Sequence, residues 1–244
     1  MAKLTLASGA AAPFDSLDYN SSSFGLPVGT IARDNFGDVY RFCLVGAADT
    51  VPGSLYQSAA PIANHLATTA TATAVGATSL TFTPGATGGA ANLYAGGILQ
   101  VDTAPGNGYA YRVSGHPAIT VSTAFTLTLA EPIQVALTTS SRLGLLHNRF
   151  MNVIVNPTTC TGATAGWAMS VIPAGNYGWL KTRGPVAALI NGTPGVGIGV
   201  VVSATTAGAV DVAAVAAEIN VRIIGHMLQV GVSTKNNGVY ALLD

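Results

Sequence analysis

The sequence predicts an all-β protein: a small β-barrel or sandwich with an inserted second β module and an extended N-terminal arm. Two observations lead to this class. Short segments alternate apolar and polar residues with a period of two, as in residues 79–83 (SLTFT). These segments are bounded by turns rich in Gly, Pro and Asn, such as residues 105–108 (PGNG), which is the pattern of sandwiches and barrels.

The first 27 residues are predicted to be an arm that lies across another surface. Their apolar residues, among them Phe14, Tyr19 and Phe24, are separated by Asp, Asn and a run of three serines at 21–23. This spacing fits neither the helical nor the strand period. We therefore expect residues 1–27 to be extended, with these aromatic side chains as anchors on a partner.

The β pattern begins after the arm. Residues 30–33 and 39–45 flank the sequence Asp-Asn-Phe-Gly at 34–37, a turn composition that predicts a β-hairpin. A short strand follows at residues 54–57.

A second β module is predicted over residues 67–138. Each of its strands is short and is bounded by Gly or Pro. We predict strands at 79–83, 98–101, 109–113 and 125–129.

The rest of the chain continues the same pattern, with one predicted helix at 211–219, where four alanines favour it. The predicted strands are 151–155, 168–172, 178–181, 186–190, 200–203, 223–230 and 239–243. The chain thus divides into an arm (1–27), a discontinuous barrel-like domain (28–66 plus 139–244) and an inserted module (67–138).

Charge is scarce in this chain. Charged residues make up 8% of it, against about 25% in a typical soluble domain, and the ten positive and ten negative side chains cancel. A neutral chain lacks the clustered Lys and Arg that nucleic acid or an anionic membrane surface requires. No apolar stretch is long and uninterrupted enough to predict a transmembrane helix.

The longest stretch without Asp, Glu, Lys or Arg covers residues 50–101. Strands this short cannot bury all of it, so much of it must form a surface without charge, which is typical of the core of a protein interface. We predict contact with a partner at Ala86, Ala90, Leu93 and Tyr94, together with the arm aromatics Phe14, Tyr19 and Phe24.

The sequence contains no motif for catalysis, a cofactor or a metal. The four histidines (His65, His116, His147 and His226) are not at metal-ligand spacing and are predicted to be structural. Asp34 and Asp38 flank one turn but match no calcium-loop pattern, so a solvated turn is the better interpretation. The two cysteines, Cys43 and Cys160, lack a zinc or redox pattern and are predicted to be unpaired. No catalytic, cofactor-binding or metal-binding residue is predicted, and the chain is not expected to be an enzyme.

Two parts of the sequence carry a resemblance to a known group of proteins. The first is residues 91–118, with ANLYAGG, LQV, GNGYAYRV and GHPA in order. The second is residues 177–185 (YGWLKTRGP), followed by Gly-rich strands and Ile223-Ile224-Gly225. In style and spacing, these segments resemble virion structural proteins of tailed bacteriophages, especially the small proteins that decorate or cement the capsid.

The resemblance extends over roughly residues 28–244 and implies a small β-barrel that binds across subunits of the major capsid protein and stabilises the shell. It implies a place on the capsid exterior after assembly in the host cytoplasm. The implied partners are the capsid lattice and further copies of the chain, as a homo-oligomer such as a trimer, without nucleic acid or membrane. Simple cement proteins are shorter, so the role of the inserted module stays open.

Two alternatives remain at this point. One is a structural component of a phage tail or baseplate. The other is a module that binds a host surface or carbohydrate, for which Trp167, Trp179, Tyr109 and Tyr111 would supply stacking faces. These aromatics lie mostly in strand patterns, which favours core packing.

Overall fold

The computed structural model describes residues 5–6, 26–213 and 222–244. The secondary structure of these residues consists of β-strands and one 3₁₀ turn at Ala63–His65, so the predicted all-β class is confirmed. The strands are β1 (Thr5–Leu6), β2 (Ile31–Arg33), β3 (Val39–Leu44), β4 (Leu55–Gln57), β5 (Thr68–Thr69), β6 (Ser79–Phe82), β7 (Ile98–Thr103), β8 (Ala110–Gly115), β9 (Phe125–Leu129), β10 (Arg142–Leu146), β11 (Ile154–Val155), β12 (Thr164–Ala168), β13 (Tyr177–Leu189), β14 (Gly199–Val202), β15 (Val210–Val212), β16 (Gly225–Met227) and β17 (Asn236–Leu242).

The strands form two antiparallel sheets, one of them a half-barrel, in two compact units. The larger unit comprises the described residues up to Ala59 together with Arg149–Asp244. Its sheet has the order β1-β2-β3-β13-β17-β16-β14-β15; in addition, β12 pairs with β13 and with β4, and β4 pairs with β11. The smaller unit, Ala60–Asn148, has a six-stranded sheet of order β5-β10-β7-β8-β9-β6.

Strand β13 organises the sheet of the larger unit. Its first half pairs with β3 and its second half with β17. The sequence predicts two separate strands here, at 178–181 and 186–190. The strand instead continues through a register shift between Lys181 and Arg183 and a left-handed backbone at Gly184 (φ +107°), where the Asp38 carboxylate fills the space of a Cβ.

The core of the larger unit buries both tryptophans and one cysteine. Trp167 and Trp179 are fully buried, and the Trp179 ring lies 5.2 Å from the ring of Phe42. Cys43 is buried on β3, and burial raises the pKa of its thiol to about 12. Cys160 is exposed, and both cysteines are free, as predicted.

The smaller unit has a core of its own, formed by aliphatic and aromatic side chains of β6 to β10 and of the segments that connect the strands, such as Tyr94, Ile133 and Leu137. It is larger than the predicted module of residues 67–138, because β10 pairs with β5 and β7 and so belongs to this unit. Residues 139–146 are therefore not part of the barrel-like domain, contrary to the sequence prediction, and they include a strand that the sequence does not predict. Leu143, Gly144 and Leu145 are all buried, which removes the alternation that marks a strand with one solvated face.

The predicted hairpin at residues 34–37 and the predicted turn at residues 105–108 are confirmed by the pairing of β2 with β3 and of β7 with β8. The helix at 211–219 is wrong at its start: Asp211 and Val212 lie in β15, which pairs with the valines of β14. Residues 214–219 lie outside the described residues.

Part of the predicted arm can be placed. Thr5 and Leu6 form β1, which pairs with β2 and so extends the sheet of the larger unit itself. Phe14, Tyr19 and Phe24 lie outside the described residues. In the part of the chain that is described, no helix has the length and apolar character needed to cross a membrane.

One ion pair connects β13 to the turn before β3. Lys181 Nζ contacts the Asp38 carboxylate and donates to the Pro185 carbonyl at 2.8 Å. The two charged side chains are only 6% and 15% exposed. Removal of the cation would therefore leave a carboxylate largely excluded from water.

We predict that Lys181→Met destabilises the protein by about 3 kcal/mol, the lower end for breaking a buried pair, because Asp38 keeps slight exposure. Urea unfolding followed by tryptophan fluorescence measures this, since both tryptophans lie in the same unit. The control is Lys235→Met at an exposed position, which should change stability by less than about 0.5 kcal/mol. Equal midpoints for the two variants would contradict this account.

Candidate functional site

The four predicted contact residues of the smaller unit differ in exposure. Ala86 and Ala90 are exposed, as a contact surface requires. Leu93 is half-buried and packs against the core of this unit. Tyr94 is fully buried, so its prediction as a contact residue is wrong: its ring belongs to the core.

The uncharged stretch 50–101 also divides into buried and exposed parts. Residues 53–58 are buried in the larger unit. Between Ala60 and Asn92, by contrast, most residues are exposed or half-buried, and none carries a formal charge. The uncharged surface predicted from the sequence therefore lies on the smaller unit.

A loop of residues 84–93, the 84–93 loop, forms part of this surface. Its first half is fixed from the 3₁₀ turn: Gly85 N–H donates to the Asn64 carbonyl, and the Asn64 side-chain amide donates to Thr87 Oγ1, both at 2.7 Å. Its middle is fixed by a reciprocal pair of backbone bonds between Gly89 and Ile119, at 3.0 and 2.8 Å.

The end of the loop is held at His116. Asn92 N–H donates to the His116 carbonyl at 3.0 Å, and His116 N–H donates to Asn92 Oδ1 at 3.0 Å. A side chain at Gly115 would collide with Asn92 Oδ1, so glycine is needed there for this close approach.

Beneath the loop, Tyr94 bonds to His65, and both side chains are fully buried. The Tyr94 hydroxyl lies 2.5 Å from His65 Nδ1, and His65 Nε2 lies 2.8 Å from the Thr87 carbonyl oxygen. A carbonyl only accepts, so Nε2 is the donor, and Nδ1 of the neutral ring accepts from the tyrosine. Burial raises the pKa of Tyr94, which keeps its hydroxyl protonated as this donor.

A second histidine holds the backbone of the same tyrosine. His116 Nε2 accepts from the Tyr94 N–H at 3.0 Å, while His116 Nδ1 lies 2.6 Å from the Pro117 carbonyl oxygen and donates to it. Both nitrogens are committed in the neutral form. A proton on Nε2 would point at the Tyr94 N–H, which can only donate.

A third histidine stacks on the tyrosine ring. The ring of His147 lies 4.7 Å from that of Tyr94, at an interplanar angle of 21°. His147 Nδ1 is buried and has no hydrogen-bond partner among the described residues. Burial, with His65 adding to the effect, lowers the pKa of His147. Burial also lowers the pKa of His116, although its bond to Pro117 opposes the shift.

This cluster is suited to holding a loop. Its central groups, His65 and Tyr94, are closed off from solvent, so reacting atoms have no access to them. No group of three or more His, Cys, Asp or Glu in the described residues is arranged to hold a metal ion.

The other candidate groups are engaged within the larger unit. Asp34 accepts hydrogen bonds from the N–H groups of Phe36 and Asp38 and from the Tyr40 hydroxyl, at 2.9, 3.0 and 3.2 Å. Asp38 pairs with Lys181. The carboxylates of this turn thus have protein partners and need no cation to explain them.

The aromatics proposed to stack on a sugar are mostly core residues. Trp167, Trp179 and Tyr111 are buried, and only Tyr109 is exposed, at 43%. The histidine cluster, in contrast, was missed by the sequence analysis. Its members are spread over 82 positions between His65 and His147, and no local pattern connects them.

Comparison with known proteins adds no relative: no family model matches the chain, and neither a curated protein nor a solved structure matches it. The site is therefore interpreted from its own geometry.

We predict that Tyr94→Phe destabilises the smaller unit by about 1–3 kcal/mol, because it leaves His65 Nδ1 buried without a donor. Differential scanning calorimetry should show a melting transition lowered by several degrees. Tyr109→Phe is the control, since that tyrosine is exposed, and it should melt like the wild type. A transition of Tyr94→Phe identical to that of the control would show that the buried bond contributes nothing.

We also predict that the protein loses stability in mild acid. The pKa of His116 and of His147 is lowered in the folded state, so the unfolded chain binds more protons below its own histidine pKa of about 6.5. The stability that the neutral His116 and His147 contribute is thus complete above about pH 6.5. It is lost as the pH falls below this value, before most carboxylates titrate. Melting temperatures measured from about pH 8 to about pH 5 should be level at first and then fall.

Two variants assign this acid effect. His116→Gln should reduce the dependence on pH, because it removes one titrating ring. His226→Gln should retain it, since that half-buried histidine lies in the larger unit, stacked on Tyr240. A wild-type melting temperature that stays level down to about pH 5 would refute the role of the cluster.

Proposed function

We propose that this chain is a structural virion protein that decorates a bacteriophage capsid and stabilises it by binding across subunits of the major capsid protein. The observation that carries the proposal is a surface without charge, the exposed part of residues 60–92, built on a loop that is fixed from below. Resemblance of residues 91–118 and 177–185 to cement proteins supports the same role.

The lack of charge favours permanent contact over free solution. A soluble monomer normally spreads charged side chains over its surface, which keeps it from associating. On the smaller unit, the exposed residues before Asp102 are mainly Ala and Thr. Burial of such a surface against a shell desolvates no formal charge, so the usual penalty for burying ions is avoided.

The fixed loop favours binding without rearrangement. Ordering a flexible loop on binding costs free energy. The 84–93 loop is already held by the backbone bonds of Gly85, Gly89 and Asn92, and by His65. Ala86 and Ala90, two of its exposed residues, are therefore presented in one conformation.

The alternatives gain less support. A carbohydrate-binding module would need exposed aromatic faces, and three of its four candidate aromatics are buried. A tail or baseplate component would use the same kind of uncharged surface, so the location in the particle separates it from a head protein. The arm residues Phe14, Tyr19 and Phe24 remain predicted contacts in either case.

The test uses virions whose genome encodes this chain. We predict that Ala86→Arg and Ala90→Arg leave the purified protein folded but lower its occupancy on heads, because each places an unpaired charge in the contact. One such charge costs several kcal/mol, so the affinity for the shell should fall at least about tenfold, and occupancy should fall with it when the protein is not in excess. Quantitative mass spectrometry of heads separated from tails measures the occupancy.

The matched control is Ser140→Arg, which places the same charge on an exposed turn of the same unit, outside the uncharged stretch. It should decorate heads like the wild type. If Ala86→Arg and Ala90→Arg both occupied heads like the wild type, the 84–93 loop would not be the contact. If the wild-type chain were found only with tails, the tail alternative would replace the proposal of a head protein.

A further inference from the structure

Three arginines that are far apart in the sequence come together on the larger unit. Arg41 Nε and Nη2 donate to the two carboxylate oxygens of Asp244, at 2.8 and 3.1 Å. Arg222 Nη2 donates to the carbonyl of Leu243, the residue before Asp244, at 3.0 Å. The charges of both arginines act on a third, Arg149. We call Arg41, Arg149 and Arg222 the arginine cluster.

Two members of the cluster are held over one aromatic ring. The guanidinium carbons of Arg41 and Arg149 lie 5.6 and 5.3 Å from the centroid of the Phe150 ring, within the range of a cation–π contact. Arg149 Nε also donates to the Thr164 carbonyl at 2.5 Å. Arg41 Nη1 donates to the Gly29 carbonyl at 3.1 Å. Both guanidinium groups are therefore fixed before a partner binds, which lowers the entropic cost of binding.

The charge of the cluster is not balanced. Among the described residues, its three guanidinium groups share one carboxylate, which is bound by Arg41. Arg149 Nη2 is buried and has no hydrogen-bond partner in the described part of the chain. Burial lowers the pKa of Arg149; Asp244 opposes this shift, whereas the charges of Arg222 and Arg41 add to it. A second anion beside Arg149 would offset this surplus of positive charge.

The geometry of the cluster suits a single carboxylate. The planar fork of a guanidinium matches a carboxylate, and Arg41 shows this pairing with Asp244. Arg222 is exposed and Arg149 is half-buried, so a carboxylate can approach them from solvent. Nucleic acid would need cations along successive phosphates, and here three arginines surround one carboxylate. A phosphate ion shares the fork geometry and is separated from a carboxylate by experiment.

The structure favours another protein over a second copy as the source of this carboxylate. Every Asp and Glu in the described part of the chain already accepts a hydrogen bond or an ion pair from its own chain. Besides Asp244, they are Asp34, Asp38, Asp49, Asp102, Glu131 and Asp211. A second copy would have to give up one of these contacts to reach the cluster.

We propose that the arginine cluster binds the carboxylate of an acidic side chain on another protein, through Arg149 and Arg222. The inference deepens the proposed function and rests on it in one respect: on a head, the other protein is the major capsid protein. It gives the larger unit a contact that depends on charge and is therefore weakened by salt.

The first test uses the purified full-length chain with acetate as the probe. Acetate replaces chloride at constant ionic strength, and nuclear magnetic resonance follows the Nε–H signals of the arginines. The signals of Arg149 and Arg222 should shift and saturate. Arg222→Gln should weaken the binding of acetate about tenfold, because it removes one of the two charged donors.

The matched control is Arg33→Gln, which removes the same charge from an exposed position of the same unit. Arg33 is not among the charges that act on Arg149, so this variant should bind acetate like the wild type. Absence of a saturable shift at Arg149 in the wild type, or equal binding by the two variants, would overturn the inference. A response to inorganic phosphate without one to acetate would overturn the choice of a carboxylate.

Head occupancy distinguishes this inference from the proposed function. Arg222→Gln should lower the affinity for the shell about tenfold, whereas Arg33→Gln should decorate heads like the wild type. If acetate binds but Arg222→Gln occupies heads like the wild type, the capsid protein is not the source of the carboxylate, and decoration stands. If the wild type never enters heads, decoration is refuted, while the response to acetate still supports the cluster as a carboxylate site.

Discussion

The organisation of the smaller unit depends on one buried hydrogen bond, from the Tyr94 hydroxyl to His65. Because His65 also donates to the Thr87 carbonyl, this bond connects the core to the loop that covers it. His116 completes the connection through the Tyr94 backbone. A polar network of this kind is costly when incomplete and specifies one conformation when complete. It fixes one half of an otherwise irregular loop, and Asn92 fixes the end of that loop through its bonds to His116.

The second constraint is the scarcity of charge. The chain has few charged side chains, and some of them stabilise the fold through ion pairs: Lys181 with Asp38, and Arg41 with Asp244. On the smaller unit, the exposed residues before Asp102 are mainly small and uncharged. Such a surface does little to prevent association with other proteins, and this agrees with the proposed role.

Much of the fold could be predicted from the sequence where one strand face is solvated. The alternation at residues 79–83 and the turn at residues 105–108 each identified their strands. A strand could not be predicted where both of its faces are buried, as at Leu143–Leu145. Nor could β15 be predicted, because Val210 and Val212, which pair with β14, stand beside a run of alanines that favours a helix. It could indicate an uncharged surface, but not that Tyr94 lies beneath it, because a tyrosine in a loop carries no local sign of burial. The convergence of three histidines on Tyr94 is a property of the folded chain alone.

The central claim is that the exposed 84–93 loop of the smaller unit meets the capsid shell. A cryo-electron microscopy map of decorated heads, at a resolution that separates β-strands, tests it most directly. The account predicts that the six-stranded sheet lies toward the shell, with Ala86 and Ala90 at a junction between capsid subunits. A map in which this loop faces solvent, while another surface of the chain meets the shell, would contradict it.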